Sequence, residues 1–323
     1  MGMLIDGNWE DVWYDTDSNE GRFVRESARF RHWVTADGSA GPSGDSGFAA
    51  ESGRYHLYVS LACPWAHRTL IVRSLKGLDE LIDVSVVSPL MLEQGWTYNK
   101  AEGSTGDRVH GHQFHHQIYT RVDPDYTGRV TVPVLWDRQR DTVVSNESAD
   151  IIRMLNSAFD DLTGNTLNLY PGTLQQDIER WNERIYPAVN NGVYRAGFAT
   201  TQDAYEEAYR ELFAELDHID SHLGGQRYLA GDNLTEADVR LFTTLIRFDA
   251  VYHGHFKCNR QRLEDYHHIP GYIRDIYQLP GIADTVDFQH IKTHYYASHR
   301  NINPSGIVPA GPAIDYTSAH RRA

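Results

Sequence analysis

This chain is short of cysteine, lysine and long apolar runs, and each shortage excludes something. Its two cysteines, Cys63 and Cys258, lie far apart and make no disulfide framework, which fits a reducing cytoplasm. The N-terminus, Met1-Gly-Met-Leu-Ile-Asp-Gly7, lacks the basic and apolar regions of a signal peptide. No apolar run is long enough to cross a bilayer. Lysine occurs only at 76, 100, 257 and 292, so arginine carries most of the positive charge. The formal net charge of −14 argues against nucleic acid or an anionic membrane as partner. An acidic, lysine-poor composition fits either a salty cytoplasm or a GC-rich genome.

The chain does have 323 residues, of which 41% are hydrophobic: enough for two domains with real cores. It is organised around Tyr55-His-Leu-Tyr-Val-Ser-Leu-Ala-Cys63-Pro64-Trp65-Ala66-His67-Arg68. The alternation of Tyr55, Leu57, Val59 and Leu61 predicts a strand, and a helix pattern follows at once. Pro64 suits the first helical position. Cys63 then sits at a helix N-terminus, where unpaired N–H groups and the positive end of the dipole favour a thiolate, helped by His67 and Arg68. The competing reading is a buried, inert cysteine.

Before that stretch, residues 1–54 read as a long lead-in with loops at 17–21 and 36–47, pinned by Phe23, Phe30 and Trp33. After it, a helix at about 64–76 closes at Gly77, and 83–88 is a second strand, giving a parallel βαβ unit. Residues 89–128 form a long polar insertion with little periodicity, functional or disordered. Within it Trp96 is either a packing anchor or a wall of a ligand site. Pro133 inside an otherwise β-like run implies a cis Val132–Pro133 bond that leaves the Val132 backbone to pair with an extended ligand. A short strand at 142–145 leads to Asn146-Glu147-Ser148, which opens a helix. Those residues are either an ordinary cap or a cradle of N–H groups for a carboxylate.

A loop at about 159–172 precedes residues 173–290, which read as helical. Leu212, Leu216, Ile219 and Leu223 recur at helical spacing, and Gly224-Gly225 ends that helix. Thr235 and Asp238 form a capping box with a structural role. Residues 291–323 read as an extended tail. His110, His112, His115 and His116 crowd together without the Cys or paired carboxylates a metal site needs, so no metal is expected. Cys258 reads as packing.

Cys63-Pro64-Trp65-Ala66, Val132-Pro133 and Glu147-Ser148 together resemble the thioredoxin-like half of a glutathione transferase. The first string is similar to that of the Xi class, the glutathionyl-hydroquinone reductases. Gly95-Trp96-Thr97, the run Gly128–Asp137, Asn191-Gly192-Val193-Tyr194, Gly254–Asn259 and His294–His299 extend the likeness along almost the whole chain. The resemblance implies an α/β thioredoxin-like domain at 55–160, an all-α domain at 173–290, and a homodimer joined through the helical domain. It implies glutathione as co-substrate and reduction of glutathionyl-hydroquinones through a Cys63–glutathione mixed disulfide. Tyr194 carries over as proton donor or acceptor, while Tyr252 and Tyr295 assist Cys63 or hold the quinol. Trp96, Arg129, Val130, Thr131, Val132, Glu147 and Ser148 carry over as the glutathione site. There Arg129 meets a carboxylate, Val132 offers its backbone, and Glu147 and Ser148 read the γ-glutamyl group. γ-Glutamylcysteine or another small thiol shares those features. Two alternatives stand beside this reading. One is a general thiol transferase of the glutaredoxin or dehydroascorbate reductase kind; the other is a non-enzymatic module for a hydrophobic ligand or a protein.

Overall fold

A computed structural model describes residues 2–322. They divide into two units: one takes the residues up to Trp13, Glu26–Asn168 and Thr285–Ser298, the other Tyr14–Arg25, Leu169–Asp284 and the residues from His299 on.

The first unit is built on strand β3 (Tyr55–Val59). All five of its residues are buried, so the alternation predicted from the sequence is not an inside–outside pattern. A central strand covered on both faces buries every side chain. β3 leads into helix α1 (Pro64–Leu75), which Gly77 terminates with a positive φ of 67°. β4 (Asp83–Val86) pairs parallel to β3, completing the expected βαβ unit. β8 (Val134–Asp137) and β9 (Thr142–Ser145) complete a four-stranded sheet in the order β4-β3-β8-β9, with both of their pairings antiparallel. Helix α3 (Ser148–Ser157) follows β9 and packs against α1. The Arg54–Asp137 ion pair, 2.6 Å and buried, ties the start of β3 to the end of β8.

Three stretches depart from the sequence reading. The lead-in contains a hairpin, β1 (Met3–Ile5) and β2 (Asn8–Glu10), turned by Asp6-Gly7 with both φ values positive. Asp-Gly is a strong two-residue hairpin signal, and it lies within the lead-in, where no strand was expected. β1 pairs in turn with β7 (Gly128–Arg129). The insertion is ordered: β5 (Met91–Leu92) and β6 (Gly95–Trp96) form a small hairpin, and His116–Val122 is helix α2. It shows little apolar periodicity because a polar group organises it. Asp107 accepts backbone N–H bonds from Val109, His110 and His112 and a hydroxyl bond from Tyr58. The stretch at 159–172 likewise holds one helical turn, α4 (Asp160–Thr163).

The second unit is helical, as its spacing predicts: α5 (Gln175–Ile185), α6 (Gly192–Gly197), α7 (Gln202–Leu223), α8 (Glu236–Arg247) and α9 (Ile269–Tyr277). Leu212, Leu216, Ile219 and Leu223 form the buried stripe of α7. The Thr235–Asp238 capping box opens α8. Burial raises the Asp238 carboxyl, which accepts bonds from Leu229 N, Thr235 N and the Tyr272 hydroxyl. Two π-helical segments, Tyr186–Asn190 and Phe248–Tyr252, interrupt the regular helices.

The last helix, α10 (Phe288–Ser298), belongs to the first unit and corrects the reading of 291–298 as extended tail. His290, Ile291, His294, Tyr295 and Ala297 are its buried face, a helical spacing hidden by the polar residues between them.

Candidate active site

Cys63 is the N-cap of α1, with extended backbone angles and Pro64 at the first helical position. Its carbonyl accepts the first helical bond, from His67 N at 3.0 Å. The thiol is half-buried, and its Sγ lies 3.5 Å from the carbonyl of Val132. The Val132–Pro133 bond is cis, as the misplaced proline implied. The two residues expected to serve the thiol from the next turn face structural partners. The buried His67 ring bonds the Thr285 hydroxyl at 2.7 Å. The buried Arg68 guanidinium lies 4.4 Å over the Trp65 ring and reaches the Ser148 hydroxyl at 3.4 Å.

Glu147 caps α3 by accepting from Ala149 N at 3.0 Å, and Ser148 is the buried first residue of that helix. Cys63 and Glu147-Ser148 therefore stand at the N-termini of two helices that pack together, each at the positive end of a helix dipole. Glu147 is thus both the ordinary cap and a candidate ligand group.

The segment between them is held by Tyr119, which the sequence did not single out, and by His115, which it singled out only as one of a crowd of histidines. Thr131 O accepts from His115 Nε2 at 3.0 Å and from the Tyr119 hydroxyl at 2.8 Å. Thr131 N donates to Tyr119 Oη, and so does Asn146 Nδ2, both at 3.2 Å. One tyrosine of α2 thus joins the loop before Val132 to the loop before Glu147. Val130, beside Thr131, is buried. The Arg129 guanidinium donates to the carbonyls of Val12 and Trp13, at 2.5 and 2.9 Å, in the N-terminal arm.

His115, one of the crowded histidines, is a buried link rather than a ligand. Nε2 donates to Thr131 O, which leaves Nδ1 to accept from the Tyr98 hydroxyl at 2.8 Å. Burial pushes its pKa down to about 4. The folded ring stays neutral while the unfolded chain takes up its proton below about pH 6.5, so stability is full above that value and falls as pH drops towards 4. A displacement of this size is worth about 3 kcal/mol. The stability advantage of the native chain over a His115→Gln variant, read as urea midpoints, is expected to shrink between pH 7 and about 4.5. A gap that stays constant with pH would refute this account.

Trp96 is buried on β6 and stacks on His294, with centroids 4.7 Å apart and planes 22° apart. His294 Nδ1 bonds Pro89 O at 3.0 Å, and Tyr295 sets its ring edge against the same imidazole at 5.1 Å. Trp96 and Tyr295 therefore share the first unit with Cys63.

Tyr194 and Tyr252 come together in the second unit, ring centroids 5.9 Å apart. Tyr194 follows the first π-helical segment and Tyr252 ends the second. Such segments are frequent at functional sites. Phe256 stacks on Tyr252 and meets Tyr194 edge-on, each at 5.5 Å. The Arg25 guanidinium sits 5.2 Å over the Tyr194 ring and donates to Asn191 Oδ1 at 3.1 Å. Cys258 is wholly buried and burial pushes its thiol well up, so it packs, as expected.

Comparison with known proteins agrees with this geometry. Residues 62–158 match the glutathione S-transferase N-terminal domain and 202–274 the C-terminal domain. The chain is 57% identical over 323 residues to glutathionyl-hydroquinone reductase YqjG of Escherichia coli K12, covering 100% of this chain and 98% of that one. It is 51% identical to glutathionyl-hydroquinone reductase PcpF of Sphingobium chlorophenolicum, covering 97% of each. The glutathione-bound structure of YqjG superposes with a TM-score of 0.92 at 55% identity, covering 99% of both chains. An Xi class transferase from Natrialba magadii superposes at 0.91 with 48% identity, covering 99% of this chain and 96% of that one. With matches to both transferase domains and to Xi class relatives along its whole length, the chain belongs to the glutathione transferase family, in the Xi class of the glutathionyl-hydroquinone reductases.

Proposed function

We propose that this protein reduces glutathionyl-hydroquinones to hydroquinones with glutathione as co-substrate, releasing glutathione disulfide. The observation that carries the reading is the Cys63 thiol at the head of α1, against the carbonyl of a residue in cis linkage to proline. A helix N-terminus stabilises a thiolate, and a thiolate is the species that attacks sulfur. The relatives named as glutathionyl-hydroquinone reductases, and the neighbour solved with glutathione, support the substrate and the thiol.

In this reaction the Cys63 thiolate attacks the thioether sulfur of the conjugate. The S–C(aryl) bond breaks, its electron pair goes to the ring carbon, and that carbon takes a proton from the Tyr194 hydroxyl. Hydroquinone leaves and Cys63 is held in a mixed disulfide with glutathione. A second glutathione thiolate attacks the glutathionyl sulfur, giving glutathione disulfide and the free Cys63 thiolate. No further cysteine is required, in keeping with a chain whose second thiol is buried. Tyr252 and Tyr295 hold phenolic oxygens or assist the thiolate. Trp96, Val130, Thr131, Val132, Glu147 and Ser148 bind glutathione, with Glu147 taking the γ-glutamyl amine and Ser148 the adjacent carboxylate. Arg129, anchored by the carbonyls of Val12 and Trp13, offers its charge to a glutathione carboxylate.

The test is turnover of a glutathionyl-hydroquinone by the purified chain with excess glutathione, repeated with γ-glutamylcysteine. Hydroquinone release with glutathione is expected. Release with γ-glutamylcysteine alone would keep the mechanism and change the thiol, and release with neither would sink the reading. We also infer a cytoplasmic location, as the cysteine usage suggests, and a homodimer, as the family resemblance implies. Sedimentation at the mass of one 36.8 kDa chain would remove the dimer.

A further inference from the structure

The hairpin of residues 3–10 touches two of the three segments that carry the proposed glutathione-binding residues of the first unit, and Trp9 makes the contacts to the first of them. The half-buried Trp9 indole donates from Nε1 to the carbonyl of Glu93 at 2.8 Å, in the turn between β5 and β6. Its ring lies so close over Gly95 that a Cβ there would stand 2.6 Å from it. Gly95 also has a φ of 64°, so that position is closed to other residues twice over. The next residue is Trp96. On its other side Trp9 stacks on His116, centroids 5.0 Å apart and planes 16° apart, and His116 stacks in turn on Phe114 at 5.3 Å. The rest of the hairpin grips the second segment. β1 pairs with β7 in the register Met3↔Arg129 and Leu4↔Gly128, and Gly7 N donates to Tyr126 O at 3.1 Å. Just beyond the hairpin, Val12 and Trp13 supply the carbonyls that hold the Arg129 guanidinium. Val130, Thr131 and Val132 follow directly.

We propose that Trp9 is a positioning residue for glutathione binding, the pin by which the N-terminal hairpin holds the Trp96 turn at a fixed distance from the Val130–Val132 segment. Two segments 34 residues apart in sequence reach one tripeptide, and neither is long enough to fix its own position. The hairpin is the element bonded to both. Trp9 touches none of the reacting atoms, so its loss acts on glutathione affinity and leaves the Cys63 cap, built by β3 and α1, as it was. The proposal rests on the reading of Trp96 and Val130–Val132 as glutathione-binding residues.

The experiment measures glutathione affinity by calorimetry on the Cys63→Ser protein, which cannot form the mixed disulfide, with Trp9→Ala, Trp9→Phe and Gly95→Ala added singly and Trp9→Ala combined with Gly95→Ala. Iodoacetamide labelling of Cys63 and steady-state kinetics are measured on the same hairpin variants with Cys63 intact. Trp9→Ala is expected to weaken glutathione about tenfold and to raise its KM alike, while kcat at saturation and the labelling rate stay within about twofold. Trp9→Phe, which keeps the stack and loses the bond to Glu93, is expected to recover part of that loss. Gly95→Ala is expected to cost less in the Trp9→Ala background than alone, because the ring it would strike is gone. Unchanged affinity in Trp9→Ala overturns the proposal, as does a loss of kcat and labelling rate in step with affinity. A Cys63→Ser parent that binds no glutathione overturns the cofactor reading itself.

Discussion

Replacing Cys63 by serine is expected to lower hydroquinone release at least ~1000-fold while glutathione still binds. The size follows from the chemistry of the attacking atom. At the N-cap of α1, Cys63 faces the positive end of a 12-residue helix, and a thiolate there is both accessible and strongly nucleophilic towards sulfur. A serine hydroxyl at the same place ionises too weakly to attack sulfur. The proposed binding groups at Trp96, Val132, Glu147 and Ser148, by contrast, are left alone by the substitution. The two cysteines also make an internal control. Iodoacetamide at neutral pH is expected to label one residue per chain within minutes, Cys63, because Cys258 is wholly buried and burial pushes its thiol up. Mass spectrometry of the labelled peptides reads both thiols at once. Slow labelling of Cys63, or equal labelling of the two, would remove the thiolate on which the reaction depends. A serine variant that still turned over would remove the mixed disulfide.

The features legible in the sequence were those whose cause lies within a few residues. Cys63-Pro64 after a β-like run gives a helix cap because the strand, the cap and the first turn adjoin one another. Pro133 betrays a cis bond because proline has no place inside a strand. Glu147 caps its own helix. What stayed hidden depends on partners far along the chain. The Asp6-Gly7 turn carries a local signal, but the worth of that hairpin comes from β7, with bonds such as Asp6 N to the Thr127 hydroxyl spanning 121 residues. His115 and Tyr119 sit in a polar stretch that looks like surface or metal tract, and their role appears only when Thr131 arrives above them. Arg129 was read as a carboxylate ligand because arginine suits one. Its two main-chain carbonyl partners lie 116 and 117 residues away and could not be read from its neighbours. Helix α10 was missed because its buried face is half histidine and tyrosine, side chains that a hydropathy pattern scores as polar.

Tyr194→Phe is expected to lower turnover of a glutathionyl-hydroquinone by about 100-fold while leaving reduction of a small glutathione mixed disulfide within about twofold. The difference lies in the leaving group. When Cys63 attacks a disulfide, the departing thiolate is stable in water and needs no proton at the moment of cleavage. When it attacks an aryl thioether, the electron pair falls on a ring carbon, which must be protonated as the bond breaks. A positioned general acid contributes about 100- to 10,000-fold to such a step. Tyr194 suits that task by its surroundings. It is almost wholly buried, a guanidinium lies 5.2 Å over its ring, and aromatic rings fix its direction. Removing only the hydroxyl keeps that packing, so the variant should fold and bind glutathione like the parent. Tyr252→Phe, at the neighbouring ring, is expected to give a smaller loss with the same selectivity if its proposed role is to hold the quinol and not to supply the proton. The measurement is a pair of rates for each variant, one per substrate, at saturating glutathione. If both rates fall together in Tyr194→Phe, the hydroxyl serves Cys63 and not the ring carbon, and the proton donor lies elsewhere. If neither falls, the tyrosines are packing and the chain is a general thiol transferase.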